Sequence, residues 1–390
     1  MKTSRQTYIN VHRDAWVEIN LEYLAQNVKQ IKNLVAKDTK LLGCVKADAY
    51  GHGAVMVAPT MLASGVDMLG VASIDEGLDL RNIKINCDIL VLGAVPVWAF
   101  ECAIENDITI SIFSDEHIQA CEQAYERTGE KVKAHIKIDT GMNRIGVMAD
   151  DAVDFIKKVQ GCDFIDLKGI FSHLACAEDE KETKKQFDKF NKIISQVSTK
   201  NLILHLLNTA GVMSYPDYQF DMVRAGIGLY GLMPEVPKKV KSKKQKAKSD
   251  DNTFYILPFT FCPKPIMFLK ARITRLHTMS ANEGISYGHT FVADKEIKVA
   301  TVPIGYADGV PRALSNKIFG MINGKKIKQI GNITMDQMMF DITDIDAQEG
   351  DVITLLGDGL LVDNWAKIVR TINYELTCGL KVRLPRVYTR

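Results

Sequence analysis

LLGCV (41–45), MLGVAS (68–73), DILVLG (88–93), ITISIF (108–113), KVKAHIKI (131–138), DLKGIFS (166–172), LILHLL (202–207) and FDMVRAG (220–226) are short apolar runs spread over residues 41–226. There are eight of them, each rich in Val, Ile or Leu, as parallel strands covered on both faces require. Helical spacing fills the gaps. The clearest case is 180–199, where Phe187, Phe190, Ile194 and Val197 repeat at helical intervals among charged residues. Eight strand–helix units predict an α/β chain with a (β/α)8 TIM-like barrel, with an open doubly wound sheet as the alternative. Pro59 falls inside the first helical segment and predicts a kink or a shortened helix there.

Beyond Gly231 the character changes. MPEVPKKVKSKKQKAKSDDN (233–252) holds two prolines, a lysine run and then acids, and reads as a solvated linker. From Lys264 the pattern is β. IMFLKARITRL, EIKVATVPI, KIKQIGNI, MMFDIT, DVITLLG and LKVRLPRVY are separated by turn signals at Asn323-Gly324, Glu349-Gly350-Asp351 and Asp358-Gly359. The expected organisation is a barrel over 12–236, a basic linker over 237–263 and a mainly antiparallel β domain over 264–390. An early strand, AWVEIN (15–20), belongs to either unit.

The 390 residues carry 49 Lys and Arg against 47 Asp and Glu. Seven of the lysines lie in Lys238–Lys248, and without them the balance is 42 against 47, or −5. The basic excess is thus local, and a nucleic-acid partner is not expected. The longest apolar stretch, 89–100, is too short for a bilayer and contains Gly93 and Pro96, so no membrane partner is expected. The N-terminus shows no secretory h-region, and the expected location is cytoplasmic. Eight scattered cysteines without a CxxC pair read as reduced thiols.

A barrel of this type places chemistry at the C-terminal ends of its strands. Reading just past each run finds Lys46, Arg144, His173, Asn208-Thr209 and, at the end of the eighth, Arg224 followed by GIGLYG (226–231). Cations and small polar groups converge there, which favours an anionic ligand such as a phosphate. A carboxylate pair for glycoside hydrolysis is missing from these positions, as is a metal-binding cluster, so no metal is expected. GIGLYG formally matches the dinucleotide fingerprint, but that fold needs a helix to start there, and Met233-Pro234 and then a lysine-rich insert follow instead. Its glycines suit close backbone approach to a phosphate instead.

VKADAYGHG (45–53), IDTGMNRIG (138–146), HLLNTAG (205–211), VRAGIGLYG (223–231), ISYGHT (285–290), VPIGYADGVPR (302–312) and GNITMDQ (331–337) together resemble the alanine racemase family, in its order and spacing, across about residues 12–388. The resemblance implies pyridoxal 5'-phosphate (PLP) as cofactor, interconversion of L- and D-alanine, a supply of D-alanine for peptidoglycan, and a homodimer with shared active sites. Lys46 resembles the lysine that forms a Schiff base with the cofactor. Tyr50, Asn208, Thr209, Gly226, Ile227 and Tyr374 match cofactor-binding positions, the phosphate holders among them. Arg224 matches the arginine facing the pyridine nitrogen, where a permanent guanidinium leaves that nitrogen neutral. Tyr287, supplied by the partner subunit, matches the second base. His173 matches the histidine linking it to Arg224. Met335 and Arg144 match substrate-carboxylate positions. Lys137 matches a lysine often carried as a carbamate, Asp336 a supporting residue, and Tyr306, Arg312 and Glu178 positions lining the substrate's way in.

Two departures stand out: Thr334 replaces a common cysteine, and the insert around 238–252 is longer and more basic than usual. Three alternatives stay open on sequence: a serine or broad-specificity racemase, a fold-related decarboxylase, and a non-catalytic cofactor carrier. The decarboxylase expects a glycine-triplet phosphate loop and a cysteine-bearing acidic motif, which are not found.

Overall fold

The computed structural model describes residues 12–237 and 261–390. The lysine run Lys238–Lys248 and most of the linker lie outside the described residues. The chain divides into two compact units. One comprises Tyr23–Ala49 and Ala54–Lys264; the other takes the chain up to Glu22, Tyr50–Gly53 and Pro265–Arg390.

β1 (Ala15–Asn20) opens the described chain and belongs to the second unit. The first unit is built on β2 (Lys40–Cys44), β3 (Met68–Val71), β4 (Ile89–Val91), β5 (Ile110–Ile112), β6 (Val132–Asp139), β8 (Ile165–Phe171), β9 (Ile203–His205) and β10 (Met222–Ala225), with the short β7 (Val147–Met148) paired to β6. Neighbour order is β4-β3-β2-β10-β9-β8-β6-β5, every pair parallel. The ring closes between β4 and β5 through the Leu90–Thr109 parallel bridge. There Val91 N–H donates to Thr109 O at 2.9 Å and Thr109 N–H to Ile89 O at 2.9 Å. All eight apolar runs are strands of a TIM-like barrel. β3, β4, β5 and β10 are buried at every position, which explains runs without alternation.

Pro59 lies inside the helix Ala54–Ala63, which continues four residues past it. Val57, Ala58 and Met61 are buried there, and that packing outweighs the lost backbone bond. The helix expected over 180–199 spans Glu180–Ile194. The Asp179 carboxylate caps its start by accepting from the N–H groups of Lys181 and Glu182. Its buried stripe is Thr183, Gln186, Phe190, Ile193 and Ile194. Phe187 lies on the flank, stacked on Tyr218 at 3.9 Å.

The second unit carries β11 (Met267–Arg272), β12 (Arg275–Met279), β13 (Gly284–Ile285), β14 (Phe291–Val292), β15 (Ile297–Val302), β16 (Phe319–Ile322), β17 (Lys325–Ile330), β18 (Met338–Asp341), β19 (Val352–Leu356) and β20 (Arg386–Thr389). Its large sheet has the order β12-β15-β18-β17-β16-β19-β11-β1-β20, antiparallel except for the parallel β1–β20 pair. Ala15, Val17 and Ile19 of β1 face Ala271, Leu269 and Met267 of β11 in register, and all six are buried. The Asn323-Gly324 pair turns β16 into β17 with φ of 49° and 74°, the left-handed geometry that this dipeptide favours. IMFLKARITRL splits into β11 and β12, and only the end of LKVRLPRVY is strand. Helices Val362–Val369 and Asn373–Gly379, which the β reading did not contain, also belong here.

Candidate active site

Lys46 follows β2 by two residues and starts a turn of unusual hand. Ala47, Asp48, Ala49 and Tyr50 have φ of 53°, 49°, 55° and 56°. This is one turn of left-handed helix, closed by Ala49 N–H donating to Val45 O at 2.8 Å. Left-handed backbone costs about 1–2 kcal/mol per residue bearing a Cβ. The surrounding structure must hold four such residues next to Lys46, and strain of this kind gathers at functional sites.

On the adjacent strand β10, paired directly with β2, lies Arg224, which is 3% exposed. Its guanidinium donates to Ser172 O at 2.7 Å and Leu206 O at 2.8 Å, and reaches His205 Nδ1 at 2.6 Å and His173 Nδ1 at 3.1 Å. An arginine cannot accept, so both Nδ1 atoms must. Each neutral ring therefore carries its proton on Nε2. His205 Nε2–H then donates to His135 Nδ1 at 2.9 Å. The result is a directed relay, Arg224 to His205 to His135, with a branch to His173. Burial, reinforced by the Arg224 charge, pushes His173 and His205 well below the usual imidazole range and His135 down to about 3. All three are neutral. Arg224 itself is lowered by burial to about 10 and remains a cation at neutral pH.

His135 and His205 are functional candidates that the sequence reading missed. The signal was present: each is a histidine inside an otherwise apolar strand run, and a buried imidazole needs partners. Gly169 makes room for them, since a Cβ there would come within 2.6 Å of the His135 ring. Phe171 stacks on His205 at 4.7 Å and receives two cations on its face, Lys137 Nζ at 4.9 Å and the Arg224 guanidinium at 5.3 Å.

Lys137 is 2% exposed within β6. Burial first, and Arg224 second, lower its amine to about 7. Asp139 ends the same strand. Burial pushes its carboxyl up, but the backbone N–H groups of Asn143, Gly141 and Arg144 outweigh burial and hold it below the usual range. Arg144, on the loop that follows, is exposed.

After β9, Asn208 caps the helix Thr209–Ser214 by accepting from Gly211 N–H at 2.9 Å. Thr209 Oγ1 accepts from Gly226 N–H at 2.8 Å and keeps its own proton to donate. This bond ties the Gly226 backbone to Thr209. Ile227 is buried beside it. Gly228 completes the cradle: a Cβ there would lie 2.6 Å from Thr209 Cγ2. A cationic mouth with a lysine amine, a hydroxyl donor, a glycine cradle and a buried guanidinium fits a phosphate-bearing aldehyde cofactor. Among the described residues, no group of three or more His, Cys, Asp or Glu could hold a metal.

The second unit holds the other predicted residues. Tyr50 and Tyr374 have ring centroids 6.0 Å apart. Gly51, with φ of 83°, could not carry a Cβ, which would lie 2.3 Å from Thr377 O. Tyr287 stands between β13 and β14 and is 75% exposed. Ile285 and Phe291 on either side root this hairpin in a cluster of Met279, Ile297, Val299, Ile330 and Met339. Asn332 donates to Tyr287 O at 2.7 Å and fixes the backbone at that point. Tyr306 N–H and Ala307 N–H donate to Thr334 O and Met335 O, each at 3.0 Å, bringing the VPIGYADGVPR and GNITMDQ motifs together. The Thr334 hydroxyl donates to Gln337 O at 2.9 Å within that turn. Buried Asp308 braces the assembly with Arg13 and Arg383, and Arg383 also donates to Asp336 at 2.6 Å. Arg312 and, in the first unit, Glu178 are exposed.

Residues 19–234 match the family model for the alanine racemase N-terminal domain and residues 266–388 that for the C-terminal domain. An alanine racemase of Nostoc sp. is 40% identical over 402 residues, covering 98% of this chain and 97% of the relative. One from Synechocystis sp. is 38% identical, covering 97% and 99%. The solved alanine racemase of Clostridium difficile 630 superposes with a TM-score of 0.87 at 38% identity, covering 98% of this chain and 97% of the other. With two family domains matched end to end and relatives this similar over their whole length, the chain belongs to the alanine racemase family.

Proposed function

We propose that this protein interconverts L-alanine and D-alanine with pyridoxal 5'-phosphate as its resident cofactor, using Lys46 as one base and Tyr287 of the partner subunit in a homodimer as the other. One observation carries this reading: a buried guanidinium, Arg224, is joined to a neutral imidazole, His173, at the barrel end that also presents Lys46. The end-to-end likeness to curated alanine racemases favours alanine over the serine, decarboxylase and carrier alternatives.

The cofactor, when bound, supplies an electron sink for negative charge at the substrate Cα. Lys46 carries it and moves the Cα proton on one face. On the barrel side, the Thr209 hydroxyl would hydrogen-bond the phosphate and the Ile227 backbone would lie beside it, with Asn208 and Gly226 holding Thr209 in place. Tyr50 and Tyr374 keep the cofactor-holding roles that family membership implies. Arg224 would face the pyridine nitrogen with a permanent cation that cannot accept a proton, leaving that nitrogen neutral. With Nδ1 accepting from Arg224, the Nε2–H of His173 is the donor that stabilises a phenolate on Tyr287, making a phenol of ordinary pKa about 10 a usable base. Arg144 and the backbone of Met335 bind the substrate carboxylate, while Asp336, Tyr306 and Arg312 shape its approach.

Tyr287→Phe should lower turnover by roughly 10²–10⁴-fold, the range for a lost acid–base group. Its thermal midpoint should hardly move, because phenylalanine keeps the ring and removes only the hydroxyl. Mixed dimers of Lys46→Ala with Tyr287→Ala should regain activity that neither parent has. Confirmed heterodimers without recovery would remove the shared site.

Lys137 is poised for carbamylation. Its neutral amine adds CO2, forming an N–C bond and releasing one proton, and the resulting anion lies near Arg144. With isotope-labelled bicarbonate, a carbamate carbon signal should grow as pH rises through about 7, where burial has set this amine. The same signal in Lys137→Ala would assign it elsewhere.

A further inference from the structure

Ser73 and Glu76 have the spacing of a helix capping box, in which the glutamate side chain would return to the Ser73 N–H. The structure spends this carboxylate differently. Glu76 Oε1 accepts from Ala47 N–H at 2.7 Å and Oε2 accepts from Ala72 N–H at 2.7 Å. Ala72 is the first residue past β3, and Ala47 is the first left-handed residue after Lys46. One carboxylate thus spans the ends of two neighbouring strands. Val45 N–H, just before Lys46, donates to Gly70 O at 2.8 Å, and Asp48 Oδ1 accepts from Ala54 N–H at 2.7 Å where the chain leaves the turn.

We infer that Glu76 is a positioning residue for Lys46: its carboxylate locks the left-handed turn to β3 and so sets where the lysine amine stands. Only a side chain with two acceptor atoms on a long stem can serve both N–H groups. Glutamine offers one acceptor and turns an NH2 toward a second N–H donor. Aspartate is a methylene short. Without the clamp, the strained backbone of Ala47–Ala49 has a route back to right-handed conformations. The role in catalysis rests on Lys46 being the cofactor lysine; the clamp itself does not.

The test compares the full chain, loaded with pyridoxal phosphate, as wild type, Glu76→Gln, Glu76→Asp and Glu76→Gln with Ala47→Gly. Glycine accepts left-handed backbone without the Cβ penalty. Amide exchange of the peptide covering 46–50 should speed at least tenfold in Glu76→Gln and Glu76→Asp while the barrel strands stay protected. kcat should fall roughly 10²-fold, as for a reacting group misplaced by about an ångström, with KM for alanine little changed. Ala47→Gly should restore part of the kcat. Unchanged exchange at 46–50, or a loss that Ala47→Gly does not relieve, overturns the inference. Should Glu76→Gln fail to fold, the double variant must fold; if it does not, the clamp idea is rejected. Faster exchange in a protein whose Lys46→Ala variant still racemises would keep the clamp and discard the role of Lys46.

Discussion

Lys46→Ala is expected to abolish racemisation, by at least ~10⁴-fold, while leaving the protein as stable as before or slightly more so. The size follows from the two duties assigned to one amine: holding the cofactor and moving a proton, the second alone worth about 10²–10⁴-fold. The stability expectation follows from its neighbours. Lys46 adds to the positive field of Arg224, Lys137 and Arg144 that, with burial, lowers His173, so its removal relieves repulsion in a barrel mouth already holding Arg224. Activity and stability therefore move apart, as they do where function requires an unfavourable arrangement. Parallel assays of D-alanine formation, visible absorbance with added pyridoxal phosphate, and thermal midpoint would check this. A variant that kept the cofactor's lysine-bound band, or that racemised alanine at more than about a hundredth of the native rate, would remove Lys46 from its role.

The second large effect is acid sensitivity of the barrel unit. His135, His173 and His205 are buried and neutral, with folded pKa values below the free value of 6.5. As pH falls below about 6.5, the unfolded chain binds a proton at each of them and the native chain does not. Stability then drops as pH drops, by about 1.4 kcal/mol per unit for each histidine, or roughly 4 kcal/mol per unit for the three. A typical reserve of about 5–15 kcal/mol is consumed within a few units. For His135 the loss continues to about pH 3. Denaturant midpoints against pH give the slope, and imidazole NMR gives the protonation states. Arg224→Leu sharpens the test. At pH 7 it should cost a few kcal/mol, because Ser172 O, Leu206 O and two imidazole nitrogens lose donors worth ~1–3 kcal/mol each, which exceeds what is recovered by no longer burying a cation. Yet its acid slope should begin at lower stability and end sooner, since the histidines are freed of the Arg224 charge and titrate nearer to 6.5. Wild-type histidines that all protonate near 6.5 would refute the relay.

The eight barrel strands were legible because β3, β4, β5 and β10 are buried throughout, so their apolar runs are continuous and short. Lys46, His173, Thr209 and Arg224 were legible because a barrel of this topology brings strand ends together, which allows residue positions far apart in the chain to be read as one mouth. The helices Val362–Val369 and Asn373–Gly379 were not, because they follow turn signals inside a region whose alternation is otherwise strand-like.

Apolar periodicity and motif spacing were thus enough for the architecture, the family and the place of Lys46 just past the first barrel strand. They could not supply the hand of the turn after Lys46, the orientation of three imidazoles, or the destination of the Glu76 carboxylate. Those depend on which donor each acceptor meets across strands 70 residues apart in the chain, as with His135 on β6 and His205 on β9. Such encounters exist only once the chain has closed into a ring, because hydrogen-bond direction and burial are properties of neighbours in space.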